Sequence, residues 1–202
     1  DPKSGCPAPR RLRARPEAGH GRPGDRIWPV PSPEYSRKQF TLTSRRPLPG
    51  GHPAGEEHSL SWEGCAVMGI VNATPDSFSD GGRYLDPDRA VEHGTKLAHE
   101  GALLLDVGGE STRPGSAPVE TGEELERVLP VVTGLAASGL LVSIDTRKPE
   151  VARQAVEAGA GLINDITGGR DPQMIEVAAR LGVPLLLMHM QGEPRTMQRD
   201  PQ

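Results

Sequence analysis

The stretch LLVSIDTRKPEVARQAVEAGAGLINDI, residues 140–166, contains a complete strand–helix–strand unit. LLVSI (140–144) and GLINDI (161–166) are continuous apolar runs, as expected of strands that are buried on both faces of a sheet. Between them, a helical pattern begins at Pro149 and ends at Gly159. A strand, a helix and a second strand in this order are typical of two parallel strands joined by a crossover helix.

The same unit recurs on both sides of this stretch. Further helices are predicted from Asp86–Pro87 to Gly101 and from Asp171–Pro172 to Gly182, because Asp caps a helix start, Pro suits its first position and Gly ends it. Another helix follows Thr121 and Glu124, which have the spacing of a capping box, and continues through Pro130 with a kink. The other predicted strands are AVMGIV (66–71), LLLDV (103–107) and VPLLLMHM (183–190).

This alternation predicts an α/β fold with a parallel sheet. Five strands fit either an open doubly wound sheet or part of a (β/α)8 barrel. The sequence contains neither a GxGxxG segment that opens a helix nor a GxxxxGK[ST] segment. Dinucleotide-binding and P-loop folds therefore lack their phosphate-binding element here.

Residues 1–61 differ in composition from the rest of the 202-residue chain. They hold 11 of the 21 prolines and 11 basic against 6 acidic residues, whereas residues 62–202 carry a formal charge of −9. Such a Pro/Arg-rich segment is expected to be disordered, because it offers little apolar surface to bury. A basic arm for nucleic acid and a transit peptide are alternatives, but the arginines are scattered without aromatic residues and the prolines break an amphipathic helix.

Neither cysteine usage nor hydropathy points to export or to a membrane. Cys6 and Cys65 lie in different regions and suggest no disulfide framework, which favours a reducing, cytoplasmic setting. No apolar run approaches the roughly 20 residues of a membrane span.

Each predicted strand ends in hydrogen-bonding residues, and the carboxyl ends of parallel strands are where α/β folds carry their chemistry. Amides and carboxylates there suit a flat heterocycle with several N–H donors. The alternative is that each residue is only a turn former or a helix cap, which strand alternation makes most plausible for Asp165. The residues are Asn72, Asp106, Asp145, Asn164, Asp165 and His189; the last lacks a partner at metal-ligand spacing.

Two connections, residues 74–85 and 108–120, are longer than ordinary βα loops of about 2–6 residues. Long loops at this face are typical of substrate loops. Arg113, in the second loop, offers a forked cation for a phosphate or carboxylate.

Five segments, spanning residues 66–198, resemble the dihydropteroate synthase family of pterin-binding TIM barrels. The resemblance implies a partial TIM (β/α)8 barrel of about five βα units at residues 62–202, preceded by the extension at residues 1–61. The segments are VMGIVNATPDSFSDGG, LLLDVGGESTRPG, SIDTRKPEVA, INDITGG and LMHMQGEPRTMQ.

The resemblance implies condensation of 6-hydroxymethyl-7,8-dihydropterin diphosphate with p-aminobenzoate, and it assigns roles by motif position. The pterin ring would be held by polar residues at three strand ends and by two apolar contacts: Asp106, Asp145, Asn164, Ile166 and Met188. Asn72 would contact Mg²⁺. The loops would place Asp80 and Arg113 as catalytic residues, with Phe78, Thr112 and Pro114 around p-aminobenzoate.

The family pattern continues beyond the last segment, with a Lys and an Arg-x-His pair that grips the diphosphate. The sequence is therefore expected to be the N-terminal part of such an enzyme, a homodimer at full length and inactive as it stands. Two alternatives remain: a non-catalytic pterin-binding homologue, and the pterin domain of a corrinoid methyltransferase. The second lacks the p-aminobenzoate loops that are present here.

Overall fold

A computed structural model of the chain describes residues 39–54, 56–74, 86–111 and 118–188. Within these residues, the strands of a small sheet come first, and strands and helices alternate after them. In chain order the elements are β1 (Gln39–Ser44), β2 (His52–Ala54), β3 (Glu57–Glu63), β4 (Met68–Asn72), α1 (Pro87–His99), β5 (Leu104–Gly108), α2 (Thr121–Ala137), β6 (Val142–Asp145), α3 (Pro149–Glu157), β7 (Leu162–Asp165), α4 (Pro172–Leu181) and β8 (Leu185–Leu187).

Strands β4 to β8 form a five-stranded parallel sheet in sequential order, as the alternating pattern predicts. The helices pack on one face of this sheet. Val71, Val107, Ile144 and Ile163 are completely buried in the resulting core. Because side chains alternate along a strand, the residues between these four project from the opposite face.

Local signals set the ends of two helices as predicted. The carboxylate of Asp86 accepts hydrogen bonds from the backbone N–H groups of Asp88 and Arg89 at the start of α1. Asp171 caps α4 in the same way, and Gly182 ends α4 in the left-handed conformation. The helix starts therefore follow from the side-chain acceptors that the sequence supplies.

The start of α2 differs from the prediction. Its N-cap is Glu120, which makes no side-chain capping bond, and Thr121 is already helical. Glu124 does not return to the helix end; its buried carboxylate accepts a 2.6 Å hydrogen bond from the Thr146 hydroxyl and pairs with the Lys148 ammonium. The capping-box prediction is therefore wrong, because the Glu124 carboxylate binds Thr146 and Lys148 instead of a backbone N–H group at the start of its own helix. The helix continues through Pro130.

Strands β1 to β3 form a separate antiparallel sheet in the order β1-β3-β2. The expectation that all of residues 1–61 lacks regular structure is therefore wrong for the part from Gln39 onward; residues 1–38 lie outside the described residues. A short alternation explains the strands, because Phe40 and Leu42 lie on one face of β1 and Thr41 and Thr43 on the other. The high proline content of the segment as a whole hid this local pattern.

The small sheet covers the amino-terminal ends of the parallel strands. Leu48 and Leu60 are buried against Leu141, which precedes β6, and Leu162, the first residue of β7. The backbone N–H of Arg45 donates a 2.8 Å hydrogen bond to the carbonyl of Gly182, just after α4. The opposite, carboxyl-terminal ends of the strands remain free of this sheet.

No helix in the described part of the chain is long and apolar enough to cross a membrane.

Candidate functional site

Polar residues predicted at the strand ends lie on one level of the parallel sheet. Asn72, Gly108, Asp145 and Asn164 are successive register partners on β4, β5, β6 and β7. They project from the face opposite the helices. Asp106 and Ser143 are partners on the level two residues earlier and belong to the same face. The fold therefore gathers an amide, two carboxylates, a second amide and a hydroxyl around the carboxyl ends of neighbouring strands.

Asp106 is the most enclosed of these groups. Only 5% of its surface is exposed, and its Oδ2 accepts a 2.9 Å hydrogen bond from Nδ2 of Asn164. Burial raises the pKa of Asp106, and the nearby Ser143 hydroxyl and Asn164 amide oppose that rise. Asp106 Oδ1 and Ser143 Oγ are nevertheless buried without a hydrogen bond of normal geometry to the described residues. A buried acceptor in this state is costly unless a ligand donor or water meets it.

Asp145 is half-buried at the end of β6. Burial raises its pKa to about 7, and the negative charges of Asp106, Glu124, Asp165 and Glu110 contribute to the rise. Its carboxyl group therefore changes charge near neutral pH and binds a proton more readily than an exposed aspartate does. A carboxylate with this property is a candidate acceptor for the N–H groups of a ligand.

Gly108 leaves room for the Asp145 carboxylate. A Cβ atom added to Gly108 would lie 3.3 Å from Oδ2 of Asp145, closer than most real contacts of this kind. Glycine suits the position after LLLDV because a larger side chain there would crowd the Asp145 carboxylate on the next strand.

Asp165 has a structural role, as strand alternation suggested. Its side chain is buried and accepts hydrogen bonds from the backbone N–H and hydroxyl of Thr167, each 2.7 Å long, and from the N–H of Gly169 at 2.8 Å. These bonds fix the turn between β7 and α4, which is a common role of an aspartate that follows a strand.

A charged network beside the site was not anticipated from the sequence. The Lys148 ammonium pairs with Glu110 at 2.5 Å and also with buried Glu124, and Arg147 donates a 2.8 Å hydrogen bond to Glu110. The network therefore joins the residues after β5, the turn after β6 and helix α2. The sequence could have indicated this network, because Glu110 and Lys148 each lie just after a predicted strand. Residues in such positions lie at the same edge of a parallel sheet.

Of the remaining predicted site residues, three lie in the described part of the chain and six lie outside it. Ile166 is partly buried in the turn after β7, while Met188 and Asn72 are exposed at the ends of β8 and β4. The residues assigned to the two long loops and to the end of the fifth strand lie outside the described residues: Phe78, Asp80, Thr112, Arg113, Pro114 and His189.

The described donor groups do not form a metal site of their own. Among residues 39–54, 56–74, 86–111 and 118–188, no group of three or more His, Cys, Asp or Glu side chains could hold a metal ion. Asn72 offers one exposed amide oxygen at the strand end. A single oxygen donor fits Mg²⁺ that takes its other ligands from substrate phosphates and water, as Mg²⁺ commonly does.

A parallel α/β sheet with a cluster of polar groups at its carboxyl edge is the arrangement in which this class of protein holds small polar ligands. Comparison with known families makes this specific. Residues 68–202 match the model of the family described as pterin binding enzyme, so the chain belongs to that family.

Similar proteins agree with the family. The chain is 52% identical over 136 residues to the dihydropteroate synthase of Escherichia coli (strain K12), covering 67% of this chain and 48% of that protein. It is 55% identical to that of Mycobacterium leprae (strain TN), covering 61% and 44%. The solved structure of Xanthomonas albilineans dihydropteroate synthase with 4-aminobenzoic acid is 56% identical, with a TM-score of 0.62 over 66% of this chain and 50% of that one. The chain thus spans about half the length of these relatives.

Proposed function

We propose that the described face forms the pterin-binding part of a dihydropteroate synthase. Such an enzyme joins 6-hydroxymethyl-7,8-dihydropterin diphosphate to p-aminobenzoate, giving 7,8-dihydropteroate and diphosphate. The observation that carries the proposal is the hydrogen-bonded pair of buried Asp106 and partly buried Asn164 beside Asp145. The family and the relatives support it, since one solved relative from Xanthomonas albilineans is in complex with 7,8-dihydropteroate.

The polar groups match the edge of a pterin. The ring presents adjacent N–H donors and ring acceptors, and an ionised Asp145 accepts two such donors at once, while Asn164 offers one donor and one acceptor. Asp106 supplies a further acceptor through its unpaired Oδ1. Ile166 and Met188 would pack against the ring faces.

The reaction requires cleavage of the bond between the pterin methylene carbon and the diphosphate oxygen. The amine nitrogen of p-aminobenzoate forms the new bond to that carbon and then loses a proton. Mg²⁺ bound to the diphosphate would neutralise the charge of the leaving group, with Asn72 as a protein ligand. By the resemblance, Asp80 would stabilise the positive charge that develops at the methylene carbon, and Arg113 would act at the p-aminobenzoate loop.

Several finer features belong to the same proposal. The curved five-stranded sheet would be the first part of a (β/α)8 barrel within a domain covering residues 62–202. Phe78, Thr112 and Pro114 would contact p-aminobenzoate. The active protein would be a cytoplasmic homodimer, and the exposed free thiol of Cys65 fits a reducing compartment.

Binding of the pterin diphosphate to Asp145 variants tests the proposal. Asp145→Ala should weaken binding at least about 30-fold by titration calorimetry, since loss of a charged hydrogen-bond partner costs roughly 2–4 kcal/mol. Asp171→Asn is the matched control, because the Asp171 carboxylate caps the start of α4. Equal affinity of the wild type and Asp145→Ala would contradict the assignment.

Turnover separates an enzyme from a non-catalytic homologue. We expect formation of dihydropteroate when the chain is joined to the remaining half of the Escherichia coli relative. Pterin binding without turnover in that fusion would favour the non-catalytic homologue instead.

A further inference from the structure

We propose that Glu110 and Lys148 are positioning residues that fix Asp145 at the carboxyl end of β6. The proposal rests on the proposed function, because Asp145 is there the group that receives the pterin. Neither Glu110 nor Lys148 lies on the level of the sheet that is formed by Asn72, Gly108, Asp145 and Asn164. They act through the turn that follows Asp145.

The turn after Asp145 is tied to two neighbouring elements at its first residue. The Thr146 backbone N–H donates a 3.1 Å hydrogen bond to the carbonyl of Asn164 on β7. The Thr146 hydroxyl donates a 2.6 Å bond to Glu124 on α2 and accepts a 3.2 Å bond from the backbone N–H of Lys148. Asp145 is thus followed directly by a residue whose backbone and side chain are both fixed.

Lys148 closes the turn from the other end. Its ammonium lies between the carboxylates of Glu110 and Glu124, and its side chain is only 18% exposed. Glu124 is 1% exposed, so its negative charge depends on this cation and on Thr146 for compensation. Removing one partner of such a buried pair is strongly destabilising, whereas removing a more exposed one is less so.

Glu110 connects this turn to β5. Its two carboxylate oxygens accept hydrogen bonds from Arg147 at 2.8 Å and from Lys148 at 2.5 Å. The residue before it is also held, because Arg127 donates a 2.8 Å bond to the carbonyl of Gly109. Glu110 therefore fixes the turn after β6 against the end of β5, and Gly108 on that strand is the close neighbour of Asp145.

Charge also links the network to Asp145. Loss of the Glu110 charge should lower the pKa of Asp145, because a nearby negative charge favours the protonated carboxyl group. The other charges that act on Asp145 come from β5, α2 and β7, and all of them remain in a Glu110 variant: Asp106, Glu124 and Asp165. The cations of the turn after Asp145, Arg147 and Lys148, pair with Glu110 and also remain.

The test uses Glu110→Gln, since Lys148→Met would leave Glu124 buried without its cation and could prevent folding. Glu150→Gln is the control; it removes an equal charge near the start of α3, where the Glu150 carboxylate accepts hydrogen bonds from Arg153 and Gln154 on the same helix. In Glu110→Gln, the backbone amides of Thr146 and Lys148 should exchange with solvent about tenfold faster. The pKa of Asp145, followed by carboxyl NMR, should fall.

Ligand affinity provides the functional readout. At a pH above about 8, where Asp145 is ionised in both proteins, the dissociation constant of the pterin diphosphate should rise roughly tenfold in Glu110→Gln and stay unchanged in Glu150→Gln. Unchanged amide exchange and an unchanged Asp145 pKa in Glu110→Gln would overturn the proposal. If the chain joined to the remaining half of the Escherichia coli relative binds no pterin diphosphate, the proposed function fails, while exchange and titration still decide whether Glu110 positions Asp145.

Discussion

Asn164 Nδ2 donates a hydrogen bond to Asp106 Oδ2 at 2.9 Å, and the bond joins β7 to β5 across the intervening strand β6. In a flat sheet, strands separated by one neighbour lie about 10 Å apart, too far for these short side chains to meet. The sheet must therefore be concave on this face. The curvature that joins Asn164 to Asp106 also brings Asp145 and Ser143 into the same enclosed space.

The charge of Asp145 should make stability depend on pH. Its pKa is raised from 3.8 to about 7 in the folded protein, so ionisation opposes folding. The stabilising contribution is complete below the unfolded pKa and is lost as the pH rises through about 7. Asp145→Asn should therefore raise the free energy of unfolding by about 3 kcal/mol at a pH near 9, and hardly change it at a pH near 3. Urea denaturation across this range provides the measurement, and a difference independent of pH would contradict the assignment.

Glu124 should be required for stability although it is charged. Glu124→Ala removes the buried partner of Lys148 and Thr146, which should lower the free energy of unfolding by about 3 kcal/mol. Glu123→Ala, at the adjacent position, breaks an ion pair with Arg127 in which Glu123 is 54% exposed, and should cost under about 0.5 kcal/mol. Equal losses of the free energy of unfolding in urea denaturation would show that the buried network contributes no more to stability than the exposed ion pair.

The small antiparallel sheet should be part of the stable fold. Leu60 is 8% exposed in the middle of β3, where it packs against Leu48, Leu141 and Leu162. Leu60→Ala should cost about 3 kcal/mol, because a buried cavity remains. Ser61→Ala, on the exposed face of the same strand, should change stability by no more than about 1 kcal/mol.

Truncation tests the same sheet. A chain beginning at Gln39 should keep the stability of the whole chain, whereas one beginning at Gly64 should lose it by exposing Leu141 and Leu162. Thermal unfolding of the two chains checks this expectation. Equal stability of both would show that β1 to β3 are dispensable.

Gly109 should not tolerate a side chain. A Cβ atom there would lie 2.8 Å from Cγ1 of Val128 and 3.0 Å from Cγ of Glu124, so Gly109→Ala should destabilise the protein by about 1–3 kcal/mol. Gly122→Ala is the control, because among the described residues no atom outside its own helical backbone and chain neighbours lies within 4 Å of the added Cβ, and alanine favours the helix. Thermal melts should move in opposite directions for the two variants; a shift of the same sign in both would contradict the packing argument.

Sequence alone determined the α/β alternation, the starts of α1 and α4 and the strands that carry Asp106, Asp145 and Asn164, although β5 continues past Asp106 to Gly108. These features are local: a continuous apolar run, an Asp–Pro helix start or a helix-ending glycine acts within a few residues of itself. The resemblance of five segments identified the family for the same reason, since each motif is a short contiguous string.

Only the tertiary structure decided how distant residues are used. Glu124 had the spacing of a helix cap, yet Lys148 and Thr146 meet its carboxylate from another element of the fold. The strands from Gln39 onward were hidden in a proline-rich segment, and they form because Leu48 and Leu60 bury surface against the parallel sheet. Burial, close charge pairs and sheet curvature depend on residues far apart in the chain, so the raised pKa of Asp145 exists only after folding brings its neighbours together.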